Sequence, residues 1–193
     1  MKLMIAIPTL DYIHFDFARC LVGLVQKLEK DGIAYDVCFK GGTLVYIGRD
    51  ALAADAVNKG YTHVLWLDAD MIFNPDVFEK LGANGADFVT GVYHSRHAPY
   101  SSSLFLRLDP PERVKSYPSG PFEVEGCGFG CVLTSTALLR KVYRENGCCF
   151  QPTPQLGEDL AFCERVKKLG CKLICDPAVR AGHIGHVTVW PEN

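Results

Sequence analysis

Residues 63–71 read His63-Val64-Leu65-Trp66-Leu67-Asp68-Ala69-Asp70-Met71, an apolar run that ends abruptly in two carboxylates. The length of the run and its β-branched and aromatic content predict a buried strand. Alternate residues of a strand point the same way, so we expect Asp68 and Asp70 to converge just past the strand end. Two close carboxylates repel each other unless a cation lies between them. Mg²⁺ and Mn²⁺ fit this pair, because such ions prefer oxygen ligands and commonly hold substrate phosphates.

The same two aspartates also have a purely structural explanation. Asp, Asn and Pro are common at strand ends, where they form turns and caps. The segment Asn74-Pro75-Asp76 follows shortly afterwards and could cap a helix that begins near Pro75. Motifs elsewhere in the sequence are therefore needed to distinguish a turn from a metal site.

Strand and helix patterns alternate on either side of this segment. The predicted strands are residues 2–7, 34–39, 64–67 and 87–90, and the predicted helices are residues 15–30, 49–59 and 75–82. This alternation predicts an α/β fold with a mostly parallel central sheet flanked by helices. Ligands of such sheets bind beyond the carboxyl ends of the strands, where Thr9, Gly41-Gly42, Asp68 and Asp70 all fall.

The pattern changes after residue 91. Residues 94–122 are rich in Ser, Pro, His and Arg, which predicts a long loop that could include a β-ribbon, and a loop of this length is usually functional or disordered. The remaining predictions are a glycine-rich strand over 123–133, helices over 135–146 and 158–169, a strand over 171–175, and a short extended piece over 44–47.

Length and composition restrict the class of protein. A chain of 193 residues is most simply one domain, and 48% hydrophobic with 22% charged residues is ordinary for a globular protein. The formal net charge of -2 gives no basic footprint, so we expect no nucleic acid partner. No apolar stretch approaches the length of a membrane-spanning helix, so no transmembrane segment is expected.

The cysteines bear on the cellular compartment. There are nine of them, an odd number, and none forms a Cys-x-x-Cys pair, which argues against a disulfide framework and against a zinc motif. The apolar run at the N-terminus is broken by Pro8 and is too short for a signal peptide. We therefore expect a cytoplasmic protein with reduced thiols buried as small apolar residues.

Two later segments carry polar residues of catalytic type. Gly157-Glu158-Asp159 opens a predicted helix, where acids either complement the helix dipole or serve as a general base for a hydroxyl nucleophile. Gly182-His183-Ile184-Gly185-His186 offers imidazoles between glycines that let the backbone approach a ligand closely. His183 has the stronger case as a ligand, and either histidine could instead be an ordinary surface or core residue.

A glycine-rich run and one arginine complete the set of candidates. Gly126-Cys127-Gly128-Phe129-Gly130 permits close backbone approach to a substrate, but it lacks the last glycine of a dinucleotide fingerprint and occurs late in the chain. A glycine-rich strand or bulge is the structural alternative. Arg49, at the start of a helix, could pair with a phosphate or contact a nucleotide, or could be a surface residue.

Taken in order, these motifs resemble the nucleotide-sugar-dependent glycosyltransferases of the GT-A fold, in particular those like glycosyltransferase family 2. The resemblance covers roughly residues 3–186 and rests on Ile7-Pro8-Thr9, Gly48-Arg49-Asp50-Ala51-Leu52, Leu67-Asp68-Ala69-Asp70-Met71, Glu125-Gly126-Cys127-Gly128-Phe129-Gly130, Gly157-Glu158-Asp159 and His183. It implies one domain over 1–193, with a Rossmann-like nucleotide-sugar-binding half over 1–92 and an acceptor and catalytic half over 93–193.

The resemblance also implies ligands and residue roles. The ligands are Mn²⁺ or Mg²⁺, a UDP- or GDP-sugar donor, and a glycan, lipid or protein acceptor. The implied roles are nucleotide binding for Pro8, Thr9, Arg49 and Asp68, metal binding for Asp68, Asp70 and His183, and acceptor or sugar binding for Gly126, Cys127 and Gly128. In an inverting enzyme Asp159, or its neighbour Glu158, would take the acceptor proton, whereas in a retaining enzyme these acids would position sugar hydroxyls.

The chain departs from the family pattern at the end of its second strand. Phe39-Lys40-Gly41 stands where the best-known inverting group has an acidic turn, so the choice of base stays open. Further acceptor-site candidates in the long loop are His94, Arg96, His97 and Tyr100. The alternatives are a nucleotidyltransferase, a phosphotransferase or phosphatase of the haloacid-dehalogenase type, which would carry its Asp-x-Asp on the first strand, and a non-catalytic sugar-nucleotide-binding module.

Overall fold

The computed structural model describes residues 1–185. The strands are β1 (Lys2–Pro8), β2 (Ala34–Lys40), β3 (His63–Leu67), β4 (Met71–Ile72), β5 (Phe88–Val92), β6 (Leu104–Leu108), β7 (Pro111–Arg113), β8 (Phe122–Val124), β9 (Gly126–Cys127), β10 (Cys131–Ser135), β11 (Leu173–Arg180) and β12 (Gly182–His183). The helices are α1 (Phe15–Lys30), α2 (Val45–Asn58), α3 (Val77–Ala83), α4 (Thr136–Asn146) and α5 (Glu158–Lys168).

A seven-stranded sheet in the order β2-β1-β3-β10-β5-β11-β8 forms the centre of the molecule. Five of its strands run in one direction, and only β10 and β8 oppose them. Helices α2, α4 and α5 pack on one face of the sheet, and α1 and α3 pack on the other. The prediction of an α/β fold with a mostly parallel sheet flanked by helices is therefore confirmed.

The central strands are apolar on both sides because both faces of the sheet are covered. Every residue of β3 after His63 is fully buried, including Trp66, whose indole N–H donates to the Thr134 hydroxyl at 2.9 Å. The ring of Phe150 packs against Trp66 with centroids 5.1 Å apart. A buried indole needs such a partner, because an unpaired N–H in an apolar core costs free energy.

The inserted strand β10 determines what meets at the edge of the sheet. It runs antiparallel between β3 and β5, so the residues just before it lie beside the carboxyl ends of both neighbours. The backbone N–H of Asp68 accordingly donates to the carbonyl of Gly130 at 3.3 Å. The glycine-rich run is thereby held against the aspartate motif, although about sixty residues separate the two in the chain.

Two small sheets complete the edge. β12 pairs with β4, which places His183 opposite Met71, and the Ile184 N–H donates to the Asp70 carbonyl at 2.8 Å. β6 pairs with both β7 and β9, so the predicted long loop after β5 does include a β-ribbon. No helix within residues 1–185 is both long and apolar enough to cross a membrane.

The structure corrects two local predictions. Residues 44–47 are not extended, because α2 already begins at Val45, and the β-branched and aromatic side chains there were misleading. The glycine-rich segment 123–133 is not one strand but three short ones, β8, β9 and β10. The break follows from partner choice, since β9 joins the small sheet with β6 while β8 and β10 join the central one.

Candidate active site

The carboxyl ends of β1, β2 and β3 lie side by side and carry several of the predicted site residues. Pro8 is buried at the end of β1, and the half-buried Thr9 donates its backbone N–H to the Lys40 carbonyl at 3.0 Å. The Thr9 hydroxyl donates to the carbonyl of Tyr12 at 2.7 Å, which holds the following loop. These residues border an edge of the sheet where α/β proteins bind their ligands.

Arg49 is the hub of the site. It lies in α2, its side chain is only 2% exposed, and its guanidinium reaches three carboxylates. One terminal nitrogen pairs with Asp68 at 2.8 Å, and the other pairs with Glu158 at 3.2 Å and with Asp159. Arg49 thus joins the aspartate motif after β3 to the two acids at the start of α5.

The surroundings of Arg49 explain why a buried cation is tolerated there. Burial by itself would lower its pKa, but the charges of Asp159, Asp68 and Glu158 outweigh burial and raise the pKa. The guanidinium also lies 5.4 Å from the centroid of the Phe129 ring, a cation–π distance. The expected nucleotide contact of Arg49 stays a prediction, since its ionic partners within residues 1–185 are carboxylates.

Asp159 has the environment of a general base. Burial and the negative charges of Asp68 and Glu158 raise its pKa to about 6, against the opposing effect of Arg49. One carboxylate oxygen faces Arg49, and the other accepts the backbone N–H of Phe129 at 3.3 Å. A carboxylate whose pKa lies close to neutral pH is well matched to proton transfer.

Asp68 and Asp70 are engaged by different cations. Asp68 pairs with Arg49, whereas Asp70 pairs with Arg96 and lies 3.4 Å from Nε2 of His183. Both aspartates follow the last residue of β3 and lie in a turn, so strand alternation does not govern where their side chains point. Across residues 1–185, no group of three or more His, Cys, Asp or Glu side chains is arranged to hold a metal ion.

The Asp70–His183 pair nevertheless fits part of a metal site. Nδ1 of His183 lies 3.0 Å from the carbonyl of His94, which can only accept, so Nδ1 carries a proton and Nε2 faces Asp70. An imidazole held in this way by a backbone carbonyl is typical of metal ligands. Mg²⁺ sites commonly use only one or two carboxylates together with substrate phosphates, so a site to which the protein adds few ligands is sufficient.

Asp70 and His183 shift each other's pKa values in opposite directions. Burial would raise the pKa of Asp70, but His183 and Arg96 outweigh it and lower that pKa. Burial would lower the pKa of His183, but the hydrogen bond and charge of Asp70 outweigh it and raise that pKa. Each group therefore favours the charged form of the other, the Asp70 carboxylate and the His183 imidazolium.

A pocket of about 320 Å³ brings the acids at the start of α5 and His183 to one cavity. Gly128, Glu158, Asp159 and His183, all predicted from sequence, line this pocket. Gly126 and Cys127 are buried in β9 instead, and burial raises the pKa of the Cys127 thiol well above its usual range, so the thiol stays protonated. Their expected role in acceptor binding stays a prediction, and His186 lies outside the described residues.

The loop candidates have separate places. Arg96 reaches Asp70, as described above, while a ring nitrogen of His94 lies 2.8 Å from the Tyr117 hydroxyl. Tyr100 donates its backbone N–H to the carbonyl of His97 at 2.9 Å, which closes a turn. Of the four loop candidates, Arg96 therefore contacts a predicted metal ligand through its side chain, and His94 contacts one through its backbone carbonyl.

Tyr93 lies at the site but was not among the residues predicted from the sequence. It directly follows β5 and is buried, and its hydroxyl accepts the N–H of Gly130 at 3.0 Å. Its ring packs edge-on against His183 with centroids 5.7 Å apart. The signal was available, because Tyr93 occupies the carboxyl end of a predicted strand, as Thr9 and Asp68 do.

Gly128→Ala should lower the free energy of unfolding by about 1–3 kcal/mol, because the added Cβ would overlap the Tyr93 hydroxyl oxygen, which Gly130 holds in place. Urea denaturation measures the loss. Gly120→Ala is the control, since nothing lies within 4 Å of an added Cβ there. Tyr93→Phe removes the overlapping oxygen, so the double variant should lose less than the sum of the single losses. Equal stability of the two glycine variants would contradict the overlap.

Solved structures of other proteins share this fold. No family model and no curated protein matches the sequence. The crystal structure of A197 from STIV matches with a TM-score of 0.68 at 20% identity, over 100% of this chain and 95% of that one. The structure of GalNAc-T7 with UDP, GalNAc and Mn²⁺ matches with a TM-score of 0.61 at 11% identity, over 95% of this chain and 44% of that one. At such identities the likeness shows the fold, and the expected GT-A type of α/β fold is confirmed.

Proposed function

We propose that this protein is a divalent-metal-dependent glycosyltransferase that moves a sugar from a nucleotide diphosphate sugar to an acceptor hydroxyl. One observation carries the proposal: His183, paired with Asp70, and Asp159, with a pKa raised to about 6, line a single pocket at the edge of the sheet. The fold adds support, because GalNAc-T7 shares it and was crystallised with UDP, GalNAc and Mn²⁺.

The nucleotide of the donor is proposed to bind over residues 1–92, with Arg96 and His183 reaching its diphosphate, and the acceptor is proposed to bind over residues 93–193. Pro8 and Thr9 would border the base of a UDP- or GDP-sugar, and Asp68 would lie near the ribose. Arg49 would act mainly through its ion pair with Asp68, since only 2% of its side chain is exposed. The position of Asp68 beyond β3 supports this division, because the ligands of such sheets bind there.

Asp70 and His183 would hold the divalent ion, Mn²⁺ or Mg²⁺, with Asp68 nearby. When bound, the ion supplies Lewis-acid stabilisation of the diphosphate leaving group. Arg96 contributes a second positive charge next to Asp70, and its half-exposed side chain would turn towards a phosphate oxygen. A guanidinium is suited to that role because its fork of N–H groups matches phosphate oxygens.

Asp159 would take the proton of the acceptor hydroxyl in an inverting reaction. Arg49 and the Phe129 N–H fix its two oxygens, so the carboxylate is oriented before the acceptor binds. Glu158, also held by Arg49, would position sugar hydroxyls or replace Asp159 as the base. In a retaining reaction both acids would have the positioning role.

The cytoplasm is the proposed location. All nine cysteines lie within the described residues, and all are free thiols. Free thiols in this number support a reducing compartment, because disulfides form and persist in oxidising ones.

Metal-dependent nucleotide binding tests the donor site. We expect one nucleoside diphosphate or nucleotide sugar to raise the melting temperature of the protein only when Mn²⁺ or Mg²⁺ is present, because a ligand that binds only the native state stabilises it. Asp70→Asn should remove most of the metal-dependent part of this shift. Asp55→Asn, which changes an exposed aspartate paired with Lys59 on α2, is the control. A shift that is the same with and without metal would contradict the metal assignment.

The products formed from a nucleotide sugar separate the alternatives. A glycosyltransferase releases a nucleoside diphosphate, because it cleaves the bond between the sugar and the β-phosphate. A nucleotidyltransferase acting in reverse releases a sugar 1-phosphate, because it cleaves between the two phosphates, and a phosphotransferase or phosphatase moves phosphate alone. If the protein shows the thermal shift but forms none of these products, it is a binding module, and the enzymatic part of the proposal is refuted.

A further inference from the structure

Arg113 lines the same pocket as Asp159 but has no role in the chemistry described so far. It ends β7 and lies opposite Phe105 of β6, its cross-strand neighbour. Its guanidinium stacks over the Phe105 ring at 4.4 Å, and one of its terminal nitrogens donates to the carbonyl of Ser102. The stacking and this hydrogen bond together fix the guanidinium without a bound ligand, and such preorganisation reduces the entropy that binding would cost.

Among the described residues, the charge of Arg113 has no acidic partner. Within residues 1–185, no carboxylate lies within ion-pair distance of it, whereas Arg107 on the same ribbon pairs with Glu112 at 3.1 Å. The pocket does contain Glu158 and Asp159, but both are directed at Arg49. Arg113 therefore presents an uncompensated positive charge and spare N–H donors to the pocket, an arrangement that recognises carboxylates and phosphates.

The position of Arg113 assigns it to the acceptor rather than to the donor. The diphosphate of the donor belongs beside Asp70 and His183, where Arg96 already supplies a cation. His183 lines the pocket of Arg113 too, but Arg113 comes from the β6–β7 ribbon and, within residues 1–185, forms no ion pair with Asp70. It shares the pocket with Asp159, the group proposed to receive the acceptor proton. A volume of about 320 Å³ is at the lower end of the range for small-molecule sites, so the pocket suits a small portion of an acceptor.

We propose that Arg113 binds an anionic group of the acceptor, a carboxylate or a phosphate, and thereby makes the protein select acidic acceptors over neutral ones. The assignment of this anion to the acceptor rests on the proposed glycosyltransferase function. The existence of an anion site at Arg113 does not, because it follows from the pocket and its charge alone.

Direct binding tests the anion site without any turnover. The probes are glucuronic acid, glucose 6-phosphate and glucose, titrated calorimetrically into the wild-type protein, Arg113→Gln and the control Arg107→Gln. The wild type and the control should bind at least one acidic probe about 10-fold or more tighter than glucose, and Arg113→Gln should lose this preference. Comparison of the two acidic probes decides between a carboxylate and a phosphate.

Three results would overturn the anion site. They are the absence of binding of either acidic probe, an affinity of the wild type for glucose that equals its affinity for the acidic probes, and a preference for acidic probes that persists in Arg113→Gln. Metal-dependent donor binding serves as the check on folding, because it should be the same in Arg113→Gln and in the wild type.

Transfer assays test whether the anion belongs to the acceptor. With the donor that the thermal shift selects, acidic sugars should be used about 10-fold or more better than glucose by the wild type, and equally with glucose by Arg113→Gln. An acidic preference in binding but not in transfer would overturn the assignment to the acceptor. Acidic binding that depends on Arg113, in a protein that releases no nucleoside diphosphate, would refute the proposed function and leave the anion site standing.

Discussion

Arg49→Ala should lower the free energy of unfolding by about 3 kcal/mol, because it leaves Asp68, Glu158 and Asp159 without their common cation. The loss of a partner to a buried charge typically costs more, but these carboxylates keep 24% to 30% of their surface exposed, so water screens part of their repulsion. In a chain of this length, the melting temperature should fall by about 6–12 °C.

Three variants sharpen the Arg49 experiment. Arg107→Ala, which removes an exposed arginine, should melt close to the wild type. Arg49→Lys should fall between the two extremes, because one ammonium group cannot bridge three carboxylates as a guanidinium does. Asp159→Asn combined with Arg49→Ala should recover part of the loss, since one uncompensated charge disappears. If Arg49→Ala has the same melting temperature as Arg107→Ala, the cluster of Arg49 and its three carboxylates does not stabilise the fold.

Asp159→Asn should reduce transfer by roughly 10²-fold or more while donor affinity stays nearly unchanged, because the amide cannot accept the acceptor proton. Initial rates and the metal-dependent thermal shift, measured on the same preparation, separate the two effects. Glu164→Gln provides the control, since this acid lies on the same helix and pairs with Lys168 at 2.9 Å. Full transfer activity in Asp159→Asn would remove this residue from the mechanism.

The pH dependence gives a second measure of Asp159. Only the ionised carboxylate can act as a base, and its pKa is raised to about 6. The wild-type rate should therefore be nearly constant well above pH 6 and fall by about tenfold per pH unit below it. The rate of Asp159→Asn should not show this fall below pH 6. If the rate of that variant falls at the same pH as the wild-type rate, the titrating group is not Asp159.

The fold was largely predictable from local sequence. The periods of apolar residues located β1, α1, β2 and β3 to within a residue or two, because each of these elements has one or two faces buried against the same core. Residues 44–47 were mispredicted because packing of α2 against the sheet outweighs the strand propensity of Val45, Tyr46 and Ile47. Helix packing of this kind depends on residues distant in sequence.

The membership of the site was only partly predictable. The rule that ligands bind at the carboxyl ends of parallel strands located Thr9, Asp68 and Asp70 at one edge without any tertiary information. It could not show that β10 enters the sheet between β3 and β5, and this insertion is what brings Gly128 and Gly130 against Tyr93. Insertion of a late strand is a choice among distant partners, and local patterns do not encode it.

The sequence by itself determined the class of fold, the edge where polar residues gather and the chemical types present there, because periodicity and polarity are local properties. The tertiary structure alone decided that Arg49 faces carboxylates at sequence separations of 19, 109 and 110 residues. It also decided that Asp68 and Asp70 meet different cations and that, among the described residues, Arg113 has no acidic partner in the pocket it shares with Asp159. Ion pairing depends on distance and burial in space, and the folded chain sets these distances between residues that are far apart in sequence.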